Sequence, residues 1–438
     1  VKSFLRSILK SIYCGLQIGL VKKLVLPFFF SKARRRESFQ KNLIAAAMAA
    51  GQYPVPDRSG SGRRIWFHAA SVGELECLWP VIIGAAQVHN EIILSILSES
   101  ARSSLEGLKK TLAEFSATVV YAGYSPWEGE WSAALDQLRP TLFMTAKYEA
   151  WPELWVGLRD RSIPLGMVSV HARKSLKIAR WLCQLFSGGL PRMFLFTCLA
   201  SETDDLRNLF PEAEIEVTGE PRWDRVFQRA HIGNIRAQEL IQLFSISPRP
   251  WGVIGSAWAE DLSFLGPVLK GLGGTLWVVP HRVHSESIQK IIELLMTIGI
   301  SATCTSALTK SGALNPHLAT NAGECILVDE IGFLSELYSV VDWAFVGGGF
   351  GVGIHSTIEP AIHGIPIGVG PKGTLKFSEV TELVTTGQLT VLRTESELLG
   401  WVNKVTASGP PEQAHWRSDA QFRLGATQKI LRTIENLK

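Results

Sequence analysis

The residues best placed to do chemistry stand where apolar runs break into small residues and glycine. Trp66-Phe67-His68-Ala69-Ala70-Ser71-Val72-Gly73-Glu74 carries such a run into a turn, with a carboxylate at the start of a helical pattern. Glu74 there is either a base for a substrate hydroxyl or an acidic first-turn residue whose charged form the helix dipole favours. Lys147-Tyr148-Glu149-Ala150-Trp151-Pro152 places a cation two residues from a second carboxylate, and Arg222 follows Gly219 and Pro221. In the second half, Gly347-Gly348-Gly349-Phe350 precedes His355-Ser356-Thr357-Ile358-Glu359-Pro360. Glycine turns of this kind allow close backbone approach to a phosphate, and helix N–H groups can hold it, but such turns also serve geometry alone. His355 is either a hydrogen-bonded turn residue or a ligand contact. No Asp-x-Asp pair stands in a metal-site context, since Glu202, Asp204 and Asp205 follow Ser201 as a helix cap and first turn would. The histidines lack zinc spacing and no phosphate-loop ATPase motif is present, so the expected chemistry needs no metal.

These residues need rigid elements behind them. Strand-like runs at Ile65–Ala69, Ile92–Leu97, Ala117–Tyr121, Thr141–Thr145, Pro164–Val168, Phe194–Leu199 and Ile215–Thr218 alternate with helix-period segments. Leu75, Leu78, Trp79, Ile82 and Ala85 form the apolar stripe of one such helix. After a break around Gly219–Arg249 the alternation resumes at Gly252–Gly255, Thr275–Val279, Cys325–Val328, Trp343–Val346, Ile365–Val369 and Leu389–Leu392. Thr305–Ala322 is polar and reads as a loop. The pattern predicts an α/β chain with two doubly wound parallel sheets, whose ligands bind outside the carboxyl ends of the strands. The expected divisions are a basic segment over 1–45, a first domain over 46–228 and a second over 229–438, with the last helix able to pack back on the first.

The 438 residues are 46% hydrophobic and 19% charged, enough for more than one core. The six cysteines (Cys14, Cys77, Cys183, Cys198, Cys304, Cys325) are scattered and form no Cys-x-x-Cys pair, which speaks against a disulfide framework or a structural zinc site. Residues 1–41 carry ten Lys/Arg against Glu37 alone, a local +9, while the remainder has 34 basic and 39 acidic residues, or −5. That confines the positive charge to one end and argues against a general nucleic-acid surface. Leu5, Ile8, Ile12, Leu16 and Leu20 recur at helical spacing, and Lys32, Arg34, Arg35 and Arg36 follow Phe28–Phe30. Lys22 and Lys23 interrupt the apolar runs, which fall short of the ~18–20 residues that span a bilayer. An interfacial anchor on anionic lipid is the reading preferred over a helix packed on the protein or a cleaved signal.

Taken together and in order, His68-Ala-Ala-Ser-Val-Gly-Glu74, Glu149-Ala-Trp-Pro152, Ala172-Arg173, Val217-Thr-Gly219 with Arg222-x-Asp224, Gly255-Ser256, Pro280-His281, Val346-Gly-Gly-Gly-Phe350 and His355-Ser-Thr-Ile-Glu-Pro360 resemble the transferases of 3-deoxy-D-manno-octulosonic acid (Kdo). The resemblance implies the GT-B fold, two Rossmann-like domains facing a central cleft. It implies inverting transfer of Kdo from CMP-Kdo to a lipid A precursor at the cytoplasmic face of a bacterial inner membrane, with no cofactor or metal. Glu74 takes the role of general base and Arg222 that of charge stabilisation, where the family has a lysine. Ser256, Pro280, His281, Ile331, Gly332, Phe333, Gly348, His355, Ser356, Thr357, Ile358 and Glu359 are expected around the CMP group. The chain departs at Lys147, where the family has a glutamate; Lys147 either pairs with the retained Glu149 or binds an acceptor phosphate. Nucleotide-sugar epimerases share such paired domains, and a non-catalytic lipid-surface protein is a third reading.

Overall fold

The computed structural model describes Tyr13 and residues 62–437, apart from gaps at 89, 116, 128, 231–233, 246, 271–272, 311–312, 315–324, 375–376 and 408–410. Except for Tyr13, the basic segment 1–45 lies outside the described residues. Contacts divide the chain into two compact units, Val1–Asp224 with Gly425–Lys438, and Arg225–Leu424.

The first unit runs β1 (Arg64–Ala69), α1 (Val72–Gln87), β2 (Glu91–Ile96), α2 (Arg102–Glu114), β3 (Val119–Tyr124), α3 (Trp131–Leu138) and β4 (Leu142–Ala146). It continues through α4 (Pro152–Asp160), β5 (Leu165–Val168), α5 (Lys174–Ser187), β6 (Met193–Thr197), α6 (Thr203–Leu209), β7 (Glu214–Val217) and the start of α7 (Arg222–Ala230). Its seven parallel strands lie in the order β3-β2-β1-β4-β5-β6-β7. The central strands are buried along their whole length, mostly by apolar side chains, because helices cover both faces. On one face Leu75, Leu78, Val81 and Ile82 of α1 pack on Ile65, Phe67 and Leu94; on the other, Trp66, Trp131, Phe143 and Trp155 form an aromatic core.

The second unit holds α8 (Ile235–Leu243), β8 (Trp251–Ala257), α9 (Ala259–Leu269), β9 (Thr275–Pro280), α10 (Ser285–Ile298), β10 (Ala302–Cys304) and β11 (Cys325–Leu327). Then follow α11 (Leu334–Tyr338), β12 (Trp343–Val346), α12 (Ile358–Ala361), β13 (Ile367–Val369), α13 (Ser378–Thr385), β14 (Leu389–Val391), α14 (Glu395–Ala407) and α15 (Pro411–Phe422). This sheet is parallel in the order β10-β11-β9-β8-β12-β13-β14. The last helix, α16 (Ala426–Asn436), belongs to the first unit, where Ile430 and Ile434 join the core beside α1. Asp224 fastens it by accepting the Gly425 and Thr427 N–H groups at 2.6 and 2.8 Å, a charged cap on orphan helix donors.

Two local readings are corrected. The edge strand β10 was not expected, because Ala302-Thr303-Cys304 is too short and too polar to show a period. The segment read as a loop from Thr305 contains a 3₁₀ turn at Thr305–Leu308, whose Thr305 hydroxyl and Ser306 N–H donate to Asp329 Oδ1 at 2.9 Å, and a small antiparallel ladder of Thr309–Lys310 with Ala313–Leu314. Its remainder to Ala322 lies outside the described residues. The five described cysteines are free thiols.

Candidate active site

In the first unit the β1–α1 turn is built around Glu74. Ser71 is the N-cap of α1, and Glu74 returns its carboxylate to the turn: Oε2 accepts the Ala70 and Ser71 N–H groups at 2.6 and 3.0 Å. The residue is only 5% exposed. Burial, reinforced by the charge of Glu149, outweighs Lys147 and the two N–H bonds and pushes its pKa up to about 7. This corrects the expectation, drawn from the helix dipole, that the charged form is favoured: desolvation is the larger effect.

Glu149 approaches from the β4–α4 connection. Its Oε2 accepts the Trp151 indole N–H at 2.9 Å and lies 3.8 Å from His68 Nε2. His68 is fully buried, with Nδ1 2.9 Å from the Ser95 hydroxyl, which accepts the Trp66 indole N–H at 2.8 Å. Because the Ser95 oxygen already accepts that proton, its own hydrogen suits Nδ1, which leaves the His68 Nε2–H turned to Glu149.

Lys147 follows β4 in the left-handed region at φ 61°, a conformation uncommon for a residue with a side chain. Its Nζ stands 3.6 Å from the place a Cβ on Gly73 would occupy, so the ammonium comes close to the start of α1. Its charge acts on Glu74, on Glu220 and on the buried Cys77 thiol, whose pKa burial pushes up to about 12. Arg222 is held by Glu220, with Nε 3.1 Å from Oε1 and Nη2 donating to Oε2 at 3.2 Å. Glu74, Lys147, Glu149 and Arg222, singled out in the sequence, thus stand in the same unit. Glu220 and the His68–Ser95 pair were not foreseen; Glu220, lying two residues before Arg222, carried the readable signal.

In the second unit Pro280, His281, Ile331, Gly332, Phe333 and Glu359 line one cavity of about 430 Å³, a size suited to a small organic ligand. Arg229, Glu330, Leu334, Ser335 and Glu336 also line it, none of them expected. Ser256, Gly348, His355, Ser356, Thr357 and Ile358 are not in its wall. Ser256 sits in a bulge of β8 at φ 52°, while Thr357 and Ile358 are buried at the start of α12, which is only four residues long. Gly348 instead stands against the His355 ring, which a Cβ on this glycine would approach to 3.1 Å. The His281 ring stacks on His355 and Trp258, with centroids 4.3 and 4.8 Å apart, while the Trp258 indole donates to His355 Nε2 at 3.0 Å. Burial, aided by His281, lowers the His355 pKa to about 4, and burial also lowers that of His281, so both rings are neutral near pH 7.

The glycine turn is held by Asp261 at the head of α9. This carboxylate, fully buried, accepts the N–H groups of Gly348 at 2.7 Å, Trp258 at 3.1 Å and Phe350 at 3.4 Å. Gly347 has no room for a side chain, since a Cβ there would lie 2.5 Å from the Ser256 carbonyl oxygen and 2.7 Å from Asp261 Oδ2. Gly348 adopts φ +93°, open to glycine at least cost. No group of three or more His, Cys, Asp or Glu side chains is arranged to hold a metal ion among the described residues.

Comparison with known proteins gives this arrangement a lineage. A family model described as 3-Deoxy-D-manno-octulosonic-acid transferase (kdotransferase) matches residues 37–225. The 3-deoxy-D-manno-octulosonic acid transferase of Chlamydophila psittaci is 35% identical over 342 residues, covering 73% of this chain and 72% of that protein. That of Bordetella pertussis is 24% identical over 428 residues, covering 92% and 94%. Among solved structures, UDP-GlcNAc 2-epimerase from Neisseria meningitidis bound to UDP-GlcNAc matches with a TM-score of 0.54 at 14% identity, over 85% of this chain and 100% of that one, a likeness of fold. With its two doubly wound sheets and a relative this similar over nearly three quarters of both sequences, the chain belongs to the 3-deoxy-D-manno-octulosonic acid transferases, glycosyltransferases of the GT-B fold.

Proposed function

We propose that this glycosyltransferase moves Kdo from CMP-Kdo to a hydroxyl of a lipid A precursor with inversion, releasing CMP. Glu74 takes the acceptor proton. The hydroxyl oxygen then bonds to the anomeric carbon of Kdo, while the bond from that carbon to the phosphate oxygen breaks and its electron pair leaves with CMP. The observation that carries this reading is the Glu74 carboxylate: two backbone N–H groups hold one oxygen, and burial raises its basicity to about pH 7. Arg222 supplies positive charge against the departing phosphate. The cavity of Pro280, His281, Phe333 and Glu359 supports nucleotide binding in the second unit, where the Glu359 carboxylate is suited to accept from ribose hydroxyls.

Purified protein incubated with CMP-Kdo and a lipid A precursor tests the reaction. Release of CMP that requires the acceptor is expected; donor binding without product would leave a non-catalytic binding protein. Glu359→Ala is expected to weaken CMP binding about tenfold, read by calorimetry, through loss of charge-assisted hydrogen bonds.

A peripheral position on an anionic membrane, at its cytoplasmic face, completes the reading. On α5, Ile178, Trp181 and Leu185 are exposed to 59, 61 and 37%, and their spacing puts them on one helical face with Lys174 and Lys177 nearby, also exposed. Tyr13, from the basic segment, packs its ring 5.1 Å from Phe186 of the same helix. No helix among the described residues is long and apolar enough to cross a membrane. Ile178→Asp with Trp181→Asp is expected to reduce cosedimentation with phosphatidylglycerol vesicles about tenfold while leaving CMP binding unchanged; unaltered cosedimentation removes α5 from the contact.

A further inference from the structure

The Trp258 and His355 rings are parallel to within 1°, with centroids 6.3 Å apart, and the Trp258 indole N–H donates to His355 Nε2 at 3.0 Å. An indole nitrogen can only donate. His355 Nε2 is therefore the bare, accepting nitrogen, and the neutral ring carries its proton on Nδ1. An imidazolium, protonated on both nitrogens, could not keep this bond.

The rest of the His355 ring is enclosed on most sides. Gly348 stands at its Cδ2 edge, where a Cβ would come within 3.1 Å. One face takes the His281 ring, with centroids 4.3 Å apart and planes 20° apart. The backbone is fixed as well: the N–H of His355 donates to the Gly347 carbonyl at 3.3 Å, that of His281 to the Ala257 carbonyl at 3.1 Å, and that of Trp258 to Asp261 Oδ2 at 3.1 Å. What remains is Nδ1, which has no protein partner among the described residues on a ring that is only half-buried.

Two residues of the nucleotide cavity flank His355: His281 by stacking, and Glu359 four positions along the chain. The cavity wall also holds Glu330 and Glu336. Three carboxylates suit hydroxyl and amino groups and repel a phosphate, so the anionic end of a nucleotide needs N–H donors beside them. Arg229 and His281 are such donors in the wall, and the open N–H of His355 lies next to His281.

We propose that Trp258 is a positioning residue for donor binding: its indole holds His355 in the Nδ1–H form, so that this N–H donates to a phosphate oxygen of the nucleotide. This rests on the reading that the second unit binds CMP. A bare Nδ1 in the same place would set a lone pair against the oxyanion, so the tautomer decides whether His355 attracts or repels it.

The full chain with nitrogen-15 histidine is first read without substrate, the His355 signals being assigned by their loss in His355→Ala. At about pH 7 the ring is expected to show a protonated Nδ1 and a bare Nε2. Trp258→Phe is expected to return it to the Nε2–H form that histidine side chains ordinarily prefer. A wild-type ring with its proton on Nε2, or a tautomer unmoved by Trp258→Phe, overturns the proposal, since loss of packing alone does not select a tautomer. Calorimetry with CMP and with cytidine then reads the phosphate. Trp258→Phe is expected to weaken CMP about tenfold and cytidine less than about twofold; equal weakening of the two overturns the proposal. His355→Ala is expected to give the same pattern, His355→Asn a smaller loss because its amide N–H can stand in for Nδ1–H, and Trp258→Phe added to His355→Ala no further loss. Additive losses overturn it. Should Trp258→Phe fail to fold, the wild-type tautomer and the two His355 variants decide by the same outcomes. A wild type that binds neither CMP nor cytidine ends the nucleotide reading and this proposal together, whereas nucleotide binding with the opposite tautomer ends this proposal alone.

Discussion

Glu74→Gln is expected to lower kcat by roughly 10²- to 10⁴-fold, the range removed with a general base, while CMP binding is retained. In the wild type, kcat/KM should fall below about pH 7 as Glu74 becomes protonated. The same substitution is expected to stabilise the fold, and only at higher pH. Burial raises the folded pKa of Glu74 above that of the unfolded chain, so ionising it costs folding free energy. Below about pH 4 both states are protonated and the cost is absent; it grows as pH rises from the unfolded value towards 7 and is complete above. The thermal midpoint of Glu74→Gln should thus exceed that of the wild type by a few degrees at pH 8.5 and match it at pH 4, a trade of stability for activity. Equal midpoints at pH 8.5 would mean that the carboxylate is solvated as an ordinary surface acid, and the basicity assigned to it would be lost with them.

Asp261→Ala should have the largest effect on the second unit. The substitution removes the acceptor from three backbone N–H groups, that of Gly348 lying in a fully buried contact. A cost of about 3 kcal/mol is expected, equivalent to a fall of roughly 6–12 °C in the midpoint of a unit this size. CMP binding should weaken as well, because Asp261 holds the Trp258 N–H and the glycine turn beside His355, and His281 stacks on Trp258 and His355. Asp261→Asn keeps one acceptor but turns an N–H₂ group on the same donors, so an intermediate loss is expected. Differential scanning calorimetry with and without CMP separates the two effects.

The strands of both sheets could be read from continuous apolar runs, because a parallel sheet covered on both faces needs no polar alternation. Where that condition lapses, so does legibility. β10 lies at the sheet edge, half buried and three residues long, and leaves no period to detect. The place of Glu74 at a strand-to-helix turn was legible for a local reason, as Ser71 and Glu74 satisfy helix N–H groups within a few residues. Its basicity was not, since the dominant cause is burial by residues distant in sequence, among them the β4–α4 connection that brings Glu149.

What the sequence determined by itself is the set of local devices: the apolar runs, the capping turns, the glycines of Gly347–Gly349 and the order of motifs that marks the family. Each depends on interactions within a few residues, or on a composition that survives in any context. Only the tertiary structure decided which charges act on one another. It put Lys147 beside Gly73, the Arg222 guanidinium on a buried Glu220, and Pro280, His281, Phe333 and Glu359 around one cavity while leaving Ser256 and Thr357 outside it. The physical reason is that charge coupling and desolvation depend on distance and burial in space, which strand order and side-chain packing set and sequence spacing does not.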